Sequence, residues 1–127
     1  MGVLFSGLVM RTLLFVFCLF SSSIPTFAAE LKLDAVAITA VLADKTFRQT
    51  LPSTSRVITQ TFQKAGVTHY VVDGQVQLGF WRVTGDQYCS NWPPTDNWAC
   101  FDLMQDGEQV VFVSSQGART VMVPQTP

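Results

Sequence analysis

The hydrophobic rhythm changes along the chain, and each change predicts a different element. Near the start, "TLLFVFCLF" is an unbroken apolar run over residues 12–20. Further on, "DAVAITAVLA" places Val36, Ala37, Ala40, Val41 and Ala43 at helical spacing behind Asp34, a residue suited to cap a helix. A short helix over Asp34 to Ala43 is predicted. Residues 48–55, "RQTLPSTS", read as a loop around Pro52. From Arg56 onward β-branched and aromatic residues alternate with polar ones, the period of strands. The segments "RVITQTFQK", "VTHYVV", "QVQLGFWRV", "CFDLMQ", "EQVVFVS" and "RTVMVP" are six strands in sequence order. Ala65-Gly66, Asp73-Gly74, Asp106-Gly107 and Gln116-Gly117 supply turns, and Asp-Gly is a strong hairpin signal. The pattern is mainly β: a six-stranded antiparallel meander, a small barrel that is closed or incomplete, with one short N-terminal helix.

Two-residue turns fix a register. Across Asp73-Gly74, Val71 faces Val76, His69 faces Leu78 and Val67 faces Phe80. Across Ala65-Gly66, Phe62 faces His69. One face then gathers Phe62, Val67, Val71, Val76, Leu78 and Phe80 as the expected core. Thr68, Tyr70, Gln75, Gln77 and Trp81 fall on the other face. Across Asp106-Gly107, Phe101 faces Phe112 and Leu103 faces Val110.

The first apolar run has a different use. Arg11 precedes it, "SSS" follows it, and Thr26 and Ala28 are small residues spaced for a signal peptidase. Charge, apolar stretch and small-residue site together read as a secretory signal over residues 1–28, leaving one domain over 29–127. The run is short for a membrane anchor, which needs about 20 apolar residues. Cys18 lies inside the run and lacks the small residues that precede a lipid-attachment cysteine.

Export changes how the other cysteines are read. Cys89 and Cys100 are an even pair in an exported domain, which reads as a disulfide. A zinc site usually needs four ligands, and His69 is the chain's only histidine. A redox motif usually has two residues between its cysteines rather than this longer stretch. A short loop closed this way stabilises by roughly 2–3 kcal/mol. Eight basic residues less Arg11 oppose nine acidic ones, with no basic run, which argues against nucleic acid.

No chemistry-bearing constellation stands out. His69 reads as a half-buried structural histidine, since no nucleophile is placed beside it. Ser114 and Ser115 lie near a turn. Asp86 and Asp102 flank the cysteines and could pair, although two solvated surface acids are the simpler reading. No catalytic residue, metal or cofactor is expected. The stretch "GDQYCSNWPPTDNWACFD" holds the more distinctive residues. Trp92, Pro93, Pro94, Asp96, Asn97 and Trp98 form a candidate protein-binding loop, stiffened by its prolines. Alternatively the two tryptophans fold back and cover the barrel's open end.

These features resemble a set of small exported bacterial proteins of unassigned function. The resemblance rests on Lys45-Thr46 after the helix, an Asp-Gly hairpin, Gly79-Phe80-Trp81, and the series Cys89, Trp92, Cys100, Phe101. It spans most of the domain and implies a periplasmic location and a Gram-negative source. It implies no catalytic residue. The disulfide loop here is longer than a minimal version requires, which marks it as the place for individual function.

Three functions fit. One is a non-catalytic periplasmic regulator that docks on an exported domain of a membrane signalling protein or enzyme. Another is a lipocalin-like carrier of a small apolar ligand, with its cavity among Phe62, His69, Leu78 and Phe112. The third is a proteinaceous inhibitor of a cell-wall hydrolase, which rests on architecture alone.

Overall fold

The computed structural model describes residues 29–50 and 53–126, with Gly2, Ser23 and Ile24 besides. Apart from those three residues, the segment read as a secretory signal lies outside the described residues. The helix α1 spans Ala35–Leu42. The strands are β1 (Leu31–Lys32), β2 (Lys45–Thr50), β3 (Val57–Phe62), β4 (Val67–Val72), β5 (Gln75–Thr84), β6 (Gln87–Asn91), β7 (Trp98–Asp106), β8 (Gln109–Ser114) and β9 (Arg119–Pro124).

Each strand from β2 to β9 pairs antiparallel with the next, and β9 returns to β2. The result is a closed eight-stranded barrel. β1 is a two-residue addition on β7. Closure gives every strand from β2 to β9 a neighbour on both sides. At eight strands the interior is just wide enough to be filled by side chains or to hold one small ligand.

The helix closes one end. Asp34 Oδ1 accepts from Ala37 N at 2.8 Å, and Asp86 Oδ1 accepts from Ala35 N at 2.9 Å, so two carboxylates satisfy its first turn. Ile38 and Leu42 drop into the barrel beside Leu33. Above them Phe62 is the hub of an aromatic floor. Phe47, Trp81 and Tyr88 meet it edge-on at 5.7–5.9 Å, and Phe112 stacks on it at 6.1 Å. Such pairs contribute about 0.5–1.5 kcal/mol each beyond burial.

All six expected strands form, and three more join them. Lys45–Thr50 is a strand although its only apolar residue is Phe47, because β3 and β9 both pair with it. Gln87–Asn91 is a strand, so the region between the cysteines is mostly hairpin. Cys89 lies directly opposite Cys100, Cα to Cα 4.1 Å, and the two form a disulfide.

The expected core on β4 and β5 is inverted. Val71↔Val76, His69↔Leu78 and Val67↔Phe80 pair as expected. The error is at the preceding turn. It holds four residues, Gln63 to Gly66, and not two, so Phe62 faces Thr68 rather than His69. A one-residue slip moves every side chain to the other face. Trp81 enforces the longer turn: its backbone N donates to Gly66 O and its indole Nε1 to Gln63 O. Val76, Leu78 and Phe80 are consequently 59%, 55% and 48% exposed on the outside, while Thr68 and Trp81 are buried. Across the β7–β8 turn the register also differs, Leu103 facing Phe112, but the shift keeps each residue on its expected face.

Candidate cavity at the open end

Above the aromatic floor the barrel interior turns polar. Gln60, Thr68 and Ser90 are buried there. Thr68 Oγ1 donates to Thr61 O at 3.0 Å. Gln60 Nε2 in turn donates to Thr68 Oγ1 at 3.0 Å and to Tyr88 Oη at 3.4 Å. Burial pushes the Tyr88 phenol up to about 12, against a smaller opposing effect of hydrogen bonds with Ser90 and Gln60. The chain of hydrogen bonds holds the Gln60 amide rigidly at the base of the space above it.

That space is a cavity of about 400 Å³ open at the end away from α1. Trp92, Tyr88, Phe101 and Phe112 make its β6–β8 side aromatic, and Tyr70 adds a ring from β4. Amides and hydroxyls complete the walls: Gln49 from β2, Gln60 from β3, Gln77 from β5, Ser90 from β6 and Thr120 from β9. Among the described residues, Met122 is the one flexible aliphatic side chain in the lining, and none of the lining residues is charged. The side chains of Gln49, Gln77, Tyr70 and Thr120 make no hydrogen bond with another described residue. Their donors and acceptors point to a space still available to a ligand. Burial also raises the Tyr70 phenol. A neighbouring recess shares Tyr70 and Gln77 and runs out to the ion pair of Arg56 with Asp73.

Trp92 stands at the mouth. Its ring lies against Gly79, where a Cβ would come 2.5 Å from Cε3, and it meets the Tyr70 ring in a T-shaped contact with 5.8 Å between centres. Gly79 is thus the residue that lets an indole pack flat on β5. The rest of the candidate loop is divided from it. Pro93, Pro94, Asp96 and Asn97 are exposed on the rim. Asn97 O accepts from Asn91 Nδ2 at 3.2 Å, and Thr95 returns to Trp92 O, so the rim is internally tied. Trp98 is 37% exposed on the outer face, with the Arg82 guanidinium 3.9 Å from its ring centre. The two tryptophans therefore serve opposite faces of the sheet.

The other singled-out residues have ordinary partners. His69 sits on the outer face, half-buried, 3.1 Å from Gln63 Nε2. Asp86 caps α1. Asp102 accepts from Gln87 Nε2 at 3.1 Å and lies 3.4 Å from Lys32, contacts that lower its carboxyl below the ordinary value, the Gln87 bond most. Ser114 Oγ accepts from Ala118 N at 3.0 Å in the β8–β9 turn. Among the described residues, no cluster of three or more His, Cys, Asp or Glu could hold a metal, and no helix is long and apolar enough to cross a membrane.

Two separate differences hide these glutamines from the sequence: the two-residue turn at Ala65-Gly66 sends Gln77 to solvent, and the loop expected around Pro52 takes in Gln49. The available signal was Gly79 between Leu78 and Phe80: a glycine opposite Thr68 in a strand marks close approach of another group. No family model, curated protein or solved structure matches the chain.

Proposed function

We propose that this protein is a non-catalytic, periplasmic small-ligand-binding barrel. The observation that carries the reading is the cavity of about 400 Å³ with unpaired amides and hydroxyls around an aromatic wall. Its volume falls in the range of small-molecule sites, about 300–1,000 Å³. The disulfide and the resemblance to exported bacterial proteins support the periplasm. The ligand lies between the polar upper walls and the aromatic floor, not among His69 and Leu78 as the sequence suggested, since both point outward.

The test is extraction of small molecules from the protein purified from its native envelope, beside a Thr120→Trp variant that fills the cavity. A molecule that accompanies the parent and is missing from the variant is expected. Recovery of the same molecule from both would rule out the cavity as its site.

A second reading, docking on an exported domain of a membrane protein, is favoured by the outer apolar strip of Val76, Leu78 and Phe80. Phe80 neighbours Asn91, and Asn91 neighbours Trp98, so the strip reaches the exposed loop. Removing Trp92 would disturb cavity and rim together. Trp98→Ala separates them, because Trp98 lies outside the barrel. Cross-linked partner capture should fall in Trp98→Ala if this reading holds, and equal capture would remove the loop from it.

A further inference from the structure

We infer that the cavity takes a neutral sugar, one or two pyranose rings in size, laid against the Trp92 indole. The inference rests on the small-ligand reading above and narrows it to a chemical class.

Charge excludes the acidic and basic classes first. A carboxylate or phosphate would need a cation or free backbone N–H groups. The cavity lining supplies no cation, and the α1 N-terminus lies at the other end with Asp34 and Asp86 already on it. Arg56 and Asp73 near the mouth are paired with each other.

Wall chemistry then decides among neutral molecules. A long acyl chain needs aliphatic walls and depth. Here Met122 is the sole flexible aliphatic residue among the described lining, and the floor of Phe62, Phe112 and Tyr88 closes the way down. A planar heterocycle is best held between two parallel rings. Trp92 and Tyr70 instead stand at 72° to each other, so the two rings make no parallel slot and a ligand would meet one aromatic face at a time. A pyranose uses one such face for its C–H side and radiates hydroxyls around its edge. Gln49, Gln60 and Gln77 come from three different strands, so their amides spread along the β2–β5 half of the barrel wall. The amides of Gln49 and Gln77 can both donate and accept, which suits a hydroxyl that does the same.

Gln60 is assigned the role of fixing orientation. Its NH₂ is committed to Thr68 and Tyr88, which leaves its carbonyl oxygen as the acceptor for a sugar hydroxyl. Gln77, at the mouth, is the adaptable partner.

Isothermal titration calorimetry of the purified protein tests this with N-acetylglucosamine and cellobiose, beside cis-parinaric acid and uridine. Saturable binding of at least one sugar is expected. Trp92→Ala should weaken it roughly tenfold or more, the scale of a lost aromatic platform. Gln77→Leu, which keeps the volume and removes the amide, should weaken it similarly and does not risk the fold. Leu78→Ser, on the outer face, should leave it unchanged. Binding of cis-parinaric acid or uridine without either sugar would overturn the sugar assignment and leave the cavity reading standing. Sugar binding indifferent to both Trp92→Ala and Gln77→Leu would overturn the site. No binding of either sugar also overturns the assignment, and the broader reading then depends on the co-purification result alone.

Discussion

Individual residues here have consequences larger than their size. Tyr88 is buried at 3% exposure with its phenol raised to about 12, against about 10 for an unfolded tyrosine. The folded state therefore keeps a proton that the unfolded state loses between those values. The associated stability, about 2–3 kcal/mol, is fully present below pH ~10 and disappears as pH rises to ~12. Denaturant unfolding across that window should show the loss, and Tyr88→Phe should flatten it; an unchanged slope in the variant would place the effect elsewhere. Gly79 is a second case. In Gly79→Ala the new methyl meets Trp92 Cε3 at 2.5 Å and Asn91 O at 2.9 Å, so the indole and the Asn91 backbone must both shift. We expect a cost of about 1–3 kcal/mol. Trp92→Phe in that background should recover part of it, because the two sites share one contact. Full additivity of the two changes would show that the ring and the glycine do not oppose each other.

At the scale of elements, the sequence carried the strands and lost a face. Every segment with sustained alternation became a strand, and the Asp73-Gly74 hairpin kept its pairs because both residues adopt the positive φ that its turn requires. The turn before β4 was not legible. Ala65-Gly66 looks like a two-residue turn, yet the chain uses four residues so that Gln63 O and Gly66 O can both receive Trp81. That contact joins residues 15 or more apart in sequence, beyond what local turn chemistry encodes. Part of the cavity was lost with it, since Tyr70 and Gln77 occupy the face that the shorter turn sends to solvent. Mutational costs along β5 distinguish the two registers. Leu78→Ser, at 55% exposure, should cost under about 1 kcal/mol, while Trp81→Ala, at 6%, should cost about 3–5 kcal/mol. Urea melts of the two variants check this, and the reverse order would restore the shorter turn.

For the molecule as a whole, the decisive event is closure, and closure rests on a short seam. β2 pairs along its whole length with β3 but shares only Phe47↔Pro124 and Arg48↔Val123 with β9. One further bond, Gln125 N to Thr46 O at 2.9 Å, extends the seam. Nothing local in "KTFRQT" announces a strand that must bridge the first and last parts of the barrel. Its amphipathic pattern is only Phe47 inward toward Phe62, with Gln49 above it in the cavity. The seam also anchors Met122, which is buried in the core and lines the cavity, so fold and site depend on the same few residues. Two truncations separate the contributions. Ending the chain after Pro124 removes the Gln125 bond but neither seam pair, and losing that bond should cost about 0.5–1.5 kcal/mol. Ending it after Val121 removes both seam pairs and the Met122 side chain, a loss on the order of 2–5 kcal/mol from the side chain before the pairs are counted. That is a large share of the roughly 5–15 kcal/mol that stabilises a domain of this size. The shorter chain should therefore lose its cooperative urea transition, and amides of β2 should exchange as freely as those of an open edge. A sharp transition at the parent midpoint would mean that the barrel holds without its seam and that its closure is not what supports the cavity.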